Sequence, residues 1–112
     1  MTRDKFRALV VAYPEVVERE DEGATLFTVA GRPFARMRHA SPRWVDVMLT
    51  RQDAEAAGAG EPELFAPLPH GWFRPGYTQI NIQKAGLHSV ASALDAAWKN
   101  AAPRRVARRH RR

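Results

Sequence analysis

The chain contains no cysteine, which removes disulfides, thiolate zinc sites and a cysteine nucleophile from consideration. It has no apolar run near the roughly 20 residues that a membrane-spanning helix requires. Its start, Met1-Thr2-Arg3-Asp4, leads into an amphipathic segment and not into the apolar stretch of a signal peptide. No HExxH pair and no GxSxG elbow occurs, and Gly58-x-Gly60 lacks the lysine and the following helix of a phosphate loop. The four histidines, His39, His70, His88 and His110, are scattered and read as surface or turn residues. A serine or threonine nucleophile with His70 as base has no motif behind it. The expectation is therefore a non-enzymatic chain with no catalytic residue, no resident metal, no cofactor and no membrane, in a reducing, cytoplasmic setting.

What is present fits one small domain. The chain has 112 residues, 45% of them hydrophobic, enough for a single modest core. The net charge of +6 is unevenly placed. Residues 104–112 (RRVARRHRR) hold six of the 18 basic residues and no acid, which leaves 12 basic and 12 acidic residues in the rest. The body is neutral, so attraction to phosphate must come from the tail or from charge segregation on the body. The expected organisation is one α+β domain over 1–103 and a disordered arginine-rich tail over 104–112. Arg and Ala favour helix, but Pro103 argues against a tail that extends the last helix.

Along the chain, Phe6, Leu9, Val10 and Tyr13 form one apolar helical stripe, with Thr2 or Asp4 as cap and Pro14 as stop. Residues 25–29 and 33–38 read as strands joined through Ala30-Gly31, with Gly31 supplying the positive φ of a tight hairpin. Residues 44–49 (WVDVML) alternate as a third strand. Thr50 caps a short helix, RQDAEAAGA, ended by Gly58 and Gly60. Residues 61–76 hold four prolines and two glycines and read as an irregular arm with one short edge strand. Residues 77–82 form another strand. A long helix over 89–102 has Ser89 as cap and Val90, Ala93, Leu94, Ala97, Trp98 and Ala101 on one face. Helix, antiparallel strands, helix is an α+β order, with the N- and C-terminal helices on one face of the sheet.

Alternation also sorts the sheet faces. Val45, Val47, Leu49, Ile80, Ile82, Ala35 and Met37 form the apolar side. The other side gathers Phe34, Arg36, Arg38, Trp44, Asp46, Met48, Tyr77, Gln79 and Asn81. That mixture is less polar than an exposed antiparallel face should be.

The pattern resembles the MmcQ/YjbR family, whose fold is described as CyaY-like. The residues that carry the resemblance are the opening helix running into Tyr13-Pro14-Glu15-Val16, the segment VAGRPFARM at 29–37 and the strand WVDVML. The stretch from His70-Gly71 through Gly76-Tyr77-Thr78-Gln79-Ile80-Asn81-Ile82 and the closing helix match as well. The likeness spans almost all of 1–103 in order and implies DNA binding through a double-wing arrangement. Relatives tend to carry a basic cluster just before the late strand; here that stretch offers Arg74, among Trp72, Phe73 and Tyr77.

Three sets of residues are candidates for binding. The tail arginines Arg104, Arg105, Arg108, Arg109, Arg111 and Arg112 can contact phosphate and release counterions, or remain a solvated end. Trp44 and Tyr77 can stack on bases while Arg36, Arg38, Gln79 and Asn81 meet phosphates or base edges; plain cross-strand packing is the favoured reading of the same residues. Glu15, Glu18, Glu20, Asp21 and Glu22 can bind a hard cation, as the likeness to the frataxin group suggests, but they read better as a solvated strand edge. Arg32, Arg36, Arg38 and Arg43 fall in or beside one hairpin, so the neutral body can still present a positive wing. The expected partner is nucleic acid, DNA first, held by Arg36, Arg38, Arg43, Arg74, Tyr77, Arg104, Arg105, Arg108 and Arg109. The alternative is a protein-interaction or small-ligand module, in which Phe65, Trp72 and Phe73 form an aromatic cleft.

Overall fold

A computed structural model of the chain describes residues 1–67 and 77–108. Thr2 opens helix α1 (Arg3–Val11) by accepting a hydrogen bond from the Lys5 backbone N–H. Six strands follow: β1 (Val16–Asp21), β2 (Ala24–Val29), β3 (Arg32–Arg38), β4 (Trp44–Met48), β5 (Phe65–Pro67) and β6 (Tyr77–Asn81). They form one antiparallel sheet in the order β1-β2-β3-β4-β6-β5. Helix α2 (Arg51–Gly60) sits between β4 and β5, and helix α3 (Leu87–Ala101) closes the sheet's inner face with α1. The class is α+β, as the order of apolar patterns predicts.

The core lies between this inner face and the two long helices. Phe6 and Val10 of α1 and Val90, Leu94, Ala97 and Trp98 of α3 pack in one cluster with Phe27, Val45, Val47 and Ile80. Trp98 is fully buried, donates its indole N–H to the Pro14 carbonyl and stacks on Tyr13. One buried residue thus ties the end of α3 to the end of α1.

Four expectations are corrected. The acidic run is not merely a solvated edge: Val16–Asp21 is a paired strand, β1, at the outside of the sheet. Its hairpin to β2 turns on Glu22 and Gly23, both at positive φ, just as Ala30 and Gly31 turn β2 into β3. The charge of the strand hides its β character, while the second glycine was the readable signal. Phe34 belongs to the core and not to the outer face. The register shifts after Phe27, whose partner is Ala35 while Thr28 faces Pro33; the extra residue breaks the alternation, as a bulge does.

Ser89 is not the cap of α3, which starts two residues earlier behind Gly86. Its hydroxyl donates to the Glu61 carboxylate instead. Finally, residues 104–107 are not disordered. They form a short helix, α4 (Arg104–Ala107), after Pro103, and Val106 is fully buried in the core cluster. Pro103 ends one helix and begins the next, because a proline tolerates a helix start far better than a helix interior. Residues 109–112 lie outside the described part.

Helix α2 is capped by the Thr50 hydroxyl, which accepts from the Asp53 N–H, and buries none of its residues. Gly58 sits inside it with open space around a would-be Cβ. Gly58→Ala should therefore raise stability by about 0.5–1 kcal/mol, read from urea unfolding, through helix propensity and the narrower unfolded ensemble.

Candidate functional site

The sheet's outer face is set by register. Arg19, Leu26, Arg36, Asp46, Gln79 and Ala66 are successive cross-strand partners in one row. Cross-strand partners share a face, so the row points away from the helices. Asp46 is completely buried within it. An isolated carboxylate could not stay ionised there, and Asp46 is not isolated. Its Oδ2 accepts from Arg36 Nε at 2.8 Å and lies 3.0 Å from Arg38 Nε, while its Oδ1 accepts from Arg38 Nη2 at 3.1 Å.

The network extends in two directions. Arg38 Nη2 also donates to Gln79 Oε1, and the Gln79 amide donates to the Pro67 carbonyl on β5. The Arg36 guanidinium sits 4.5 Å from the centre of the Tyr77 ring, a cation–π distance. Two arginines share one carboxylate, so the cluster keeps one surplus positive charge. The arginine side chains are 18% and 26% exposed, and Arg36 Nη2 and Arg38 Nε are buried. Leu26 and Ala24 are buried but stand outside the core cluster; they share rows with Arg36 and Arg38, and long arginine stems shelter apolar neighbours in this way.

The structure brings Arg36, Arg38 and Tyr77 together and disperses the other expected residues. Arg43 is exposed in the turn before β4, at the end of the sheet that carries Arg38 and Trp44. Arg104, Arg105 and Arg108 are exposed around α4. Arg105 lies 3.9 Å from Glu15, which precedes β1, so this group belongs to the opposite end of the sheet. Arg74 and Arg109 lie outside the described residues, as do Trp72 and Phe73 of the expected cleft. Asn81 is buried and its side chain accepts from the Gln83 N–H, which gives it a turn-holding role.

The acidic side chains are spread and not gathered. Glu18 holds Arg7 on α1, Glu20 meets Thr25 and His39, and Glu15 faces Arg105. Among the described residues no group of three or more carboxylates or histidines could hold a metal ion. The Arg7 guanidinium is held above its ordinary value, first by its hydrogen bond to Glu18 and then by that carboxylate's charge. It stays fully cationic on the helix side of the sheet.

Sequence reasoning placed Asp46 on the outer face without giving it a role. The available signal was one carboxylate in an otherwise apolar strand, beside a strand with arginines two residues apart. Of the expected aromatic cleft, Phe65 alone falls within the described residues. Phe65 and Tyr77 line a cavity of about 530 Å³ between α2 and the β5–β6 edge.

Among the described residues no helix is long and apolar enough to cross a membrane. No family model and no curated protein matches the chain. Among solved structures it is similar to the Deinococcus radiodurans protein DR2400, described as a DUF419 domain, with a TM-score of 0.71 over 87% of this chain and 75% of that one. The two share 15% sequence identity, so the likeness establishes a shared α+β fold.

Proposed function

We propose that this chain is a non-enzymatic nucleic-acid-binding domain of the MmcQ/YjbR type, CyaY-like in fold, that holds the phosphate backbone of DNA on the outer face of its sheet. The observation that carries the reading is the Arg36–Asp46–Arg38 cluster. A buried carboxylate is a poor stability device, because desolvation consumes most of the Coulombic gain. Its effect here is geometric: it orients two guanidinium forks beside each other on the sheet's outer face, with Tyr77 against one of them.

The charge balance sets the strength. One surplus cation in the cluster and Arg43 at its margin predict sequence-independent affinity, on the order of 10⁻⁴–10⁻⁶ M at physiological salt. The α4 arginines add long-range attraction from the other end of the sheet. A cytoplasmic location goes with this function.

Fluorescence anisotropy with labelled single-stranded and duplex oligonucleotides tests the reading. For a chain ending at Arg108, the logarithm of the binding constant should fall with the logarithm of salt concentration. The cluster's surplus charge and Arg43 should contribute roughly −1.4 to −1.8 to that slope, at 0.7–0.9 per phosphate neutralised. Binding that is absent, or indifferent to salt, would count against it.

A further inference from the structure

We propose that a second copy of this chain docks antiparallel on the free edge of β1, so that two sheets join across a two-fold axis at Val17. The proposal goes beyond nucleic-acid binding and stands on separate observations. Strand β1 ends the strand order, and among the described residues only β2 pairs with it. Such an edge is a ready template for another strand.

The hairpin fixes which backbone groups the edge offers. Asp21 and Ala24 are partners across the turn Glu22-Gly23, whose residues are both at positive φ. The pair that closes such a tight turn exchanges hydrogen bonds, and the exchange then alternates along the strand. Asp21, Arg19 and Val17 therefore turn their N–H and C=O groups toward β2. Glu20, Glu18 and Val16 turn theirs outward. Val17 shares the outer face with Arg19 and is 58% exposed, more than any other large apolar side chain among the described residues.

Charge selects the partner and its direction. Charged edges ordinarily keep copies apart, but the charge along this edge is segregated. One end holds Glu20, Asp21 and Glu22, all exposed. At the other, Arg104, Arg105 and Arg108 are exposed around α4, and Arg105 lies 3.9 Å from Glu15, which precedes β1. Antiparallel pairing of two copies lays the acidic end of each beside the basic end of the other. Parallel pairing would set like against like.

The register follows from the same charges. Placing Val17 opposite Val17 of the second copy pairs Val16 with Glu18, which both offer outward backbone groups, and brings Arg19 beside Glu15 of the second copy. Setting Glu18 opposite Glu18 instead brings Glu15 beside Asp21, and like charges directly opposite are destabilising. The two-fold axis stands perpendicular to the sheet, so both outer faces lie on one side of the joined sheet.

The test is sedimentation velocity of the full chain. A monomer–dimer equilibrium should appear below about 500 μM and weaken about tenfold between about 0.05 and 0.5 M salt. Val17→Lys sets two lysines opposite each other and should raise the dissociation constant about tenfold or more, as should Val17→Glu. An equimolar mixture of the two variants should associate again. Leu87→Lys, at a comparably exposed position on α3, should leave association unchanged. Both Val17 variants should unfold in urea as the parent does, because the side chain is exposed. The proposal is overturned if the chain stays monomeric throughout, if Val17→Lys associates as the parent does, if the mixture stays monomeric, or if Leu87→Lys abolishes association. Oligonucleotide binding is read on the same samples, so a failure of this edge and a failure of the sheet-face reading are told apart.

Discussion

Asp46→Ala is expected to lower stability by about 3 kcal/mol, the lower end of what removing one partner of a buried ion pair costs. The carboxylate is fully buried and accepts from both Arg36 and Arg38. Without it, two like charges remain side by side. Their partial exposure lets them turn toward water, which keeps the cost from rising further. For a domain of about 100 residues the loss corresponds to a fall in melting temperature of roughly 10–20 °C. Asp46→Asn keeps the shape and one or two acceptor contacts, so it should fall between alanine and the parent. Urea unfolding measures both. A loss for Asp46→Ala below about 1 kcal/mol, the range of an exposed pair, would show that the arginines do not depend on the carboxylate for their position.

Deleting residues 103–112 is expected to cost about 2–3 kcal/mol more than deleting 109–112 alone. The difference is Val106, which is fully buried in the core cluster. Removing a buried side chain of that size loses about 1.5–3 kcal/mol of burial, and the vacated contact leaves part of the Ala101 end of α3 facing water. The two deletions also separate charge from fold. Residues 109–112 carry three of the six tail arginines, so the shorter deletion reduces long-range attraction while keeping Val106 and α4 in the chain. Equal melting temperatures for the two truncated chains would contradict the packing of α4.

Most of the fold was legible because it rests on period and punctuation. The stripe of Phe6 and Val10, the alternation of Val45 and Val47, the Thr50 cap and the apolar face of α3 all follow local rules. What escaped depended on tertiary context. Strand β1 is four-sixths charged, and only pairing with β2 makes it a strand. A single register shift moved Phe34 to the core, which no count by twos can foresee. Val106, flanked by arginines, is a lone valine until the core receives it. The candidate site was legible as a set of residues on one face, but the burial of Asp46 beneath two arginines was not. That arrangement arises only when β3 and β4 pair Arg36 with Asp46.

The central claim is that the Arg36–Asp46–Arg38 cluster binds phosphate and does not merely hold strands together. Replacing all three residues at once (Arg36→Met, Asp46→Leu, Arg38→Met) leaves no orphaned charge, and such apolar replacements are often neutral or stabilising by about 1–4 kcal/mol. The decisive measurement is oligonucleotide anisotropy across a salt series for the parent and this triple variant, with folding checked by urea unfolding. The account predicts a folded variant whose binding constant at low salt falls by about tenfold or more and whose salt slope shrinks by about 1. A folded variant that binds with the parent's affinity and slope would contradict it and leave the cluster a structural one.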